Sequence, residues 1–138
     1  MELTTFGGLL KFALELEGAA TQFYREAAPG RELKEGFAEL RAEGEVNRRR
    51  LERLRRESVN EMLLESFEGL EGDDYRLELQ LSPAMGDEQL GALAMRLEGV
   101  LERFYRAAAG RLSLPEVARG FARLAERHAQ RKVKLGEI

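Results

Sequence analysis

The chain has 138 residues, a formal net charge of -3, 43% hydrophobic and 34% charged residues, no cysteine and one histidine. That length suits one domain with a buried core, while the missing cysteine excludes disulfides, thiolate metal sites and cysteine nucleophiles, and the single histidine excludes any site needing two imidazoles from one chain. The net charge argues against generic nucleic-acid binding, no run approaches the roughly 20 apolar residues that span a bilayer, and no basic leader follows Met1, so the expectation is a cytoplasmic protein without a membrane partner.

Apolar residues three and four apart predict four helices. The first spans about residues 5–28, with Thr4 or Thr5 as its cap and Pro29-Gly30 as its stop. The second spans about 31–57, starting at Arg31. The third covers about 87–109, with Asp87 as its N-cap. The fourth covers about 114–136 and opens on Ser113-Leu-Pro-Glu116, a capping-box pattern with proline in the first turn. Residues 58–86 behave differently: Asn60 to Phe67 reads as a short helix, Gly69 to Asp74 as a turn, and Tyr75 to Leu81 alternates like a strand. A lone strand has no ladder partner, so this stretch is expected to cross over along a four-helix, all-α bundle.

The helix pairs repeat. Leu16-Glu-Gly-Ala-Ala-Thr-Gln-Phe-Tyr-Arg-Glu-Ala-Ala28 matches the thirteen residues from Leu97 to Ala109 at eight positions, and Gly36-Phe-Ala-Glu-Leu40 matches Gly120-Phe-Ala-Arg-Leu124. A duplicated helical hairpin with approximate two-fold symmetry follows.

Each helix also breaks its apolar stripe near the middle. In the first helix, Leu9, Ala13, Leu16, Ala20, Phe23, Tyr24 and Ala27 enclose Glu17. Glu98 falls at the same place in the third, seven residues before Tyr105 as Glu17 is before Tyr24. The second stripe (Leu33, Phe37, Leu40, Leu51, Leu54) is interrupted by Gly44 and Asn47. The fourth (Val117, Phe121, Leu124, Leu135, Ile138) is interrupted by His128 and Arg131. Two carboxylates facing one core cost several kcal/mol unless cations, protons or hydrogen bonds meet them.

With Leu-Glu17-Gly-Ala-Ala-Thr-Gln-Phe-Tyr24 and Phe37-Ala-Glu-Leu40, and again with Leu-Glu98-Gly-Val-Leu-Glu-Arg-Phe-Tyr105 and Phe121-Ala-Arg-Leu-Ala125, the sequence resembles the rubrerythrin branch of the ferritin-like superfamily. The resemblance covers most of both helix pairs and implies a ferritin-like bundle of two helical hairpins joined by a long crossover. It also implies that Glu17 and Glu98 stand at iron-ligand positions, with Tyr24 and Tyr105 supporting them. The family's second and fourth helices each supply a Glu and a His three residues apart, the His ten residues after the Phe. Those positions are Gly44 and Asn47 here, and His128 and Arg131. Neither Glu-x-x-His pair survives, and both bridging carboxylates that two irons require are missing. A guanidinium at Arg131 repels cations and can bind a carboxylate bidentately instead.

Two readings of Glu17, Glu98, His128, Asn47 and Arg131 stay open. One is a polar layer closed by salt bridges, fixing helix register in a non-catalytic scaffold or binding module with no cofactor. The other is a residual metal site in which Glu17, Glu98 and His128 hold one transition metal ion (iron, manganese or zinc). Gly18 and Gly99 directly follow the two carboxylates, explained by close helix approach or by descent from one hairpin. Arg48, Arg49, Arg50, Arg53, Arg55 and Arg56 read as helix-end cations pairing with Glu45, Glu52 and Glu57 rather than as a nucleic-acid or anion patch. Met62, Leu63, Phe67 and Leu70 cover the bundle end or build a dimer contact, and bundles of this kind suggest a homodimer. The sequence names no small-molecule ligand.

Overall fold

Leu9, Ala13, Leu16, Ala20 and Phe23 return to one side of the chain every three or four residues, and burying that side makes the first helix. The computed structural model describes residues 1–27, 34–62, 65–77 and 79–137. Within them run α1 (Phe6–Ala27), α2 (Lys34–Met62), α3 (Asp87–Ala109) and α4 (Pro115–Glu137). α1 packs chiefly on α2 and α3 on α4, and the pairs meet through α2–α4 and α1–α3 contacts. This is an all-α bundle, and its apolar core includes Phe23, Phe37, Phe104 and Phe121. No helix among the described residues is long and apolar enough to cross a membrane.

The helix starts follow capping chemistry. The Thr5 Oγ1 accepts from the Gly8 N–H at 3.1 Å, closing α1 at its first turn. Pro115 is the first residue of α4, where a missing N–H costs nothing. Asp87 is not the cap of α3: Gly86 takes that place, and Gln89 Oε1 accepts the Gly86 N–H at 3.0 Å. Asp87 becomes the first helical residue, where its charge suits the positive end of the helix dipole.

The second predicted helix ends too early. α2 continues to Met62 and absorbs the first residues of the expected short helix, because Leu51, Ser58 and Met62 keep burying the same face. Glu65 to Phe67 are not helical. The expected stop at Pro29-Gly30, the start at Arg31, and Leu33, Leu63 and Ile138 lie outside the described residues.

After α2 the chain runs beside its own N-terminus, with Leu3 N donating to Leu70 O at 2.8 Å and Phe67 N to Thr4 O at 3.1 Å. Gly69 turns at a φ of 79°, a conformation that costs glycine nothing. A short 3₁₀ turn, Gly72–Tyr75, follows, its Asp73 N–H donating to the Glu71 side chain. Beyond it, Leu77, Leu79 and Leu81 are half-buried against the core while Arg76 and Gln80 are exposed. The alternation is that of an extended chain, yet no strand forms among the described residues. Met62, Phe67 and Leu70 are buried in the chain's own core, so they seal the bundle rather than offer a dimer face.

Candidate functional site

Halfway along the bundle, the stripe breaks of three helices converge. α1 delivers Glu17, α3 delivers Glu98, and α4 delivers His128 with Arg131 three residues later on the same face. The first three are 0% exposed and Arg131 is 3% exposed, so these charges meet with almost no water.

His128 stands between the two carboxylates. Its Nδ1 lies 2.7 Å from Glu98 Oε1 and its Nε2 lies 2.7 Å from Glu17 Oε1. An imidazole can serve two ionised carboxylates at once only as imidazolium, with a proton on each nitrogen. Arg131 adds the second cation: its Nε is 2.9 Å from Glu98 Oε1, in ion-pair range though not aligned as a hydrogen bond. Its Nη2 donates to the Leu40 carbonyl at 2.9 Å, tying α4 to α2. The expected bidentate clasp is not made. Arg131 serves Glu98, while His128 and Tyr105 hold Glu17.

The tyrosines complete the layer with crossed symmetry. Tyr24 of α1 donates to Glu98 Oε2 of α3 at 3.1 Å, and Tyr105 of α3 donates to Glu17 Oε1 of α1 at 2.8 Å. This exchange is what a duplicated hairpin should give. Tyr105 also stacks on the His128 ring, with centroids 5.5 Å apart and planes 8° from parallel. The Arg131 guanidinium lies 5.7 Å from the centre of the Tyr24 ring.

The electrostatics follow from burial and pairing. Burial alone would drive the His128 proton off, but Glu17 and Glu98 outweigh it and hold the pKa at about 9. Burial pushes Glu17 up, and His128 and Arg131 more than reverse that, so its carboxyl ends below its ordinary value. Both tyrosine hydroxyls are raised well above theirs, by burial and by the carboxylates they serve. Two carboxylates against His128 and Arg131 make a group of four with no net charge.

α2 adds to this charge balance only from its edge, through the partly exposed Glu43, whose Oε2 lies 3.7 Å from Arg131 Nε. A Cβ at Gly44 would come within 2.5 Å of Thr21 Oγ1, so any larger residue would force Thr21 to shift where α1 and α2 approach. Thr21 fills the gap and turns its hydroxyl back to the Glu17 carbonyl at 2.9 Å. Asn47 is buried, but its Oδ1 accepts from Arg50 at 3.2 Å and its Nδ2 has no partner among the described residues.

These side chains do not fit a metal ion. Both His128 nitrogens are spent on carboxylates, Glu98 Oε1 takes His128 and Arg131, and Glu98 Oε2 takes Tyr24. Glu17 Oε2 is the acceptor left over in the layer, and one monodentate oxygen beside two cations does not hold a metal. Among the described residues, no group of three or more histidine or acidic side chains is arranged for a metal. Comparison of the chain with family models, with curated proteins and with solved structures finds no match.

The stripe pattern puts Glu17, Glu98, Tyr24, Tyr105, His128 and Arg131 at one level, and the fold brings them together. Asn47 is expected there too, but it pairs with Arg50. Thr21 and the Leu40 carbonyl join the layer without standing out in the pattern, Thr21 signalled only by a hydroxyl four residues after Glu17 and the carbonyl by nothing in a sequence. Gly18 and Gly99 are not close-approach glycines: a Cβ at Gly18 meets nothing within 4 Å, and one at Gly99 meets Lys132 Cδ at 4.0 Å.

Proposed function

We propose that this chain is a ferritin-like bundle of the rubrerythrin type whose metal centre has been replaced by protein cations, and that it serves as a non-catalytic scaffold or binding module. The observation that carries this reading is the commitment of both His128 nitrogens to Glu17 and Glu98. An imidazolium and a guanidinium supply the positive charge that metal ions would otherwise bring to two buried carboxylates. The reciprocal Tyr24–Glu98 and Tyr105–Glu17 bonds support descent from a symmetric, duplicated site.

Elemental analysis of protein purified without chelators or an affinity tag tests it. The expected content is below about a tenth of an equivalent of any transition metal, equal in the parent and in a Glu17→Ala, Glu98→Ala double variant. Near one equivalent, lost in the double variant, would establish a mononuclear site of Glu17, Glu98 and His128 in its place. Assembly as a homodimer belongs to the same reading. Light scattering should then give twice the chain mass of 15.6 kDa.

A further inference from the structure

A second polar feature lies beside the charge layer, on the seam between α2 and α4. A cleft of about 230 Å³ opens there, lined by Glu43, Asn47 and Arg50 of α2 and Arg127, Arg131 and Lys134 of α4 among others. Its charge is not balanced. Glu43 lies 3.4 Å from Lys134 and 3.7 Å from Arg131, and Arg131 is already matched by Glu98. Arg50 and Arg127 have no carboxylate within ion-pair range among the described residues. They crowd each other, and Arg123 and Arg53 stand close enough to add to the repulsion. Partial burial first, and then these neighbours, lower the Arg50 pKa.

Two donors of the residues lining the cleft also lack acceptors among the described residues. Asn47 is 2% exposed and Arg131 is 3% exposed, and Asn47 Nδ2 and Arg131 Nη1 have no partner among the described residues. The Arg50 bond to Asn47 Oδ1 fixes the amide so that Nδ2 is the free group. The two residues that carry these buried donors, Asn47 and Arg131, thus line the same cleft as two guanidiniums that have no counter-charge among the described residues. A buried donor left unpaired is unfavourable, which favours an occupant that accepts hydrogen bonds.

We propose that this cleft is a binding site for a phosphate group, either free or on a small metabolite, with Arg50 and Arg127 as its charged arms and the Asn47 amide at its floor. Two uncompensated positive charges match a dianion better than a single carboxylate, and guanidiniums present paired donors to phosphate oxygens. The cavity is smaller than the usual drug-sized pocket, which suits the anion and little more. The site goes beyond the scaffold reading and is tested apart from metal content, so either can fail alone.

Inorganic phosphate, with acetate as comparison, is titrated at constant ionic strength into ¹⁵N-labelled parent, Arg50→Gln, Arg127→Gln and Arg25→Gln proteins, each shown by thermal melting to be folded. The expected result is saturable phosphate binding by the parent and by Arg25→Gln, with the Asn47 side-chain amide shifting along the same curve. Affinity should fall at least about tenfold in Arg50→Gln and Arg127→Gln, the loss expected on removing a charged hydrogen bond. If a phosphorylated metabolite is the ligand, phenyl phosphate should bind more tightly than phosphate; equal binding assigns the free ion. Acetate binding as tight as phosphate, shifts that never saturate, or equal affinity in all four proteins would overturn the assignment.

Discussion

His128 carries the positive charge that lets two carboxylates share one dry core. Exchanging it for glutamine keeps a hydrogen-bonding side chain of comparable length but removes that charge, leaving Glu17 and Glu98 opposed by Arg131 alone. Breaking a buried ion pair from one side costs about 3–5 kcal/mol, so His128→Gln should shift the urea midpoint downward by that equivalent. Replacing the whole group, with Glu17→Gln, Glu98→Gln and Arg131→Met added, should recover most of the loss, because no buried charge is then left alone. Urea titrations of the single and quadruple variants check both. A His128→Gln protein within about 1 kcal/mol of the parent would mean that water already screens the layer.

At the scale of the helices, glycines that look alike in sequence part company. Gly18 lies in α1 with open space where a Cβ would stand, so Gly18→Ala should stabilise the protein by about 1 kcal/mol through helix propensity alone. Gly44→Ala has the same propensity gain, but its methyl collides with Thr21, and overpacking costs about 1–3 kcal/mol. It should be neutral at best and destabilising in the main, and Thr21→Ser should not rescue it, since the hydroxyl remains. Thermal melts of the pair decide the matter. The contrast shows what the sequence carries. Helix number and faces were legible because the three-and-four rhythm is local, and the layer was legible because the hairpin is written twice, with Glu17 echoed by Glu98. The end of α2 was not legible, since Ser58 and Met62 extend the buried face only once the rest of the chain packs over it. The role of Gly44 was equally hidden, because it depends on how near α1 passes. The cleft over Arg50 and Arg127 joins residues almost eighty positions apart, and a basic run on one helix reads as solvated charge until its neighbour is known.

For the molecule as a whole, the charge layer predicts how stability depends on pH. The His128 pKa rises from 6.5 in the unfolded chain to about 9 in the folded one. A raised pKa means stability that is fully present below pH 6.5 and lost as pH climbs through about 9. At about 1.36 kcal/mol per unit, that loss is on the order of 3 kcal/mol. Glu17 has the opposite sign: its folded pKa lies below the ordinary 4.5, so its contribution is present above 4.5 and lost as pH falls through the folded value. Stability should therefore peak between about pH 5 and 6.5 and decline on both sides. Exposed ion pairs superimpose small slopes of their own, but salt screens them, whereas a buried pair is screened far less. Urea midpoints measured from pH 5 to 10 in high salt should fall steadily above pH 6.5 in the parent and stay nearly flat in His128→Gln. If both fall together, the alkaline loss belongs to other groups, and His128 is held as a neutral ring with the proton on a carboxyl.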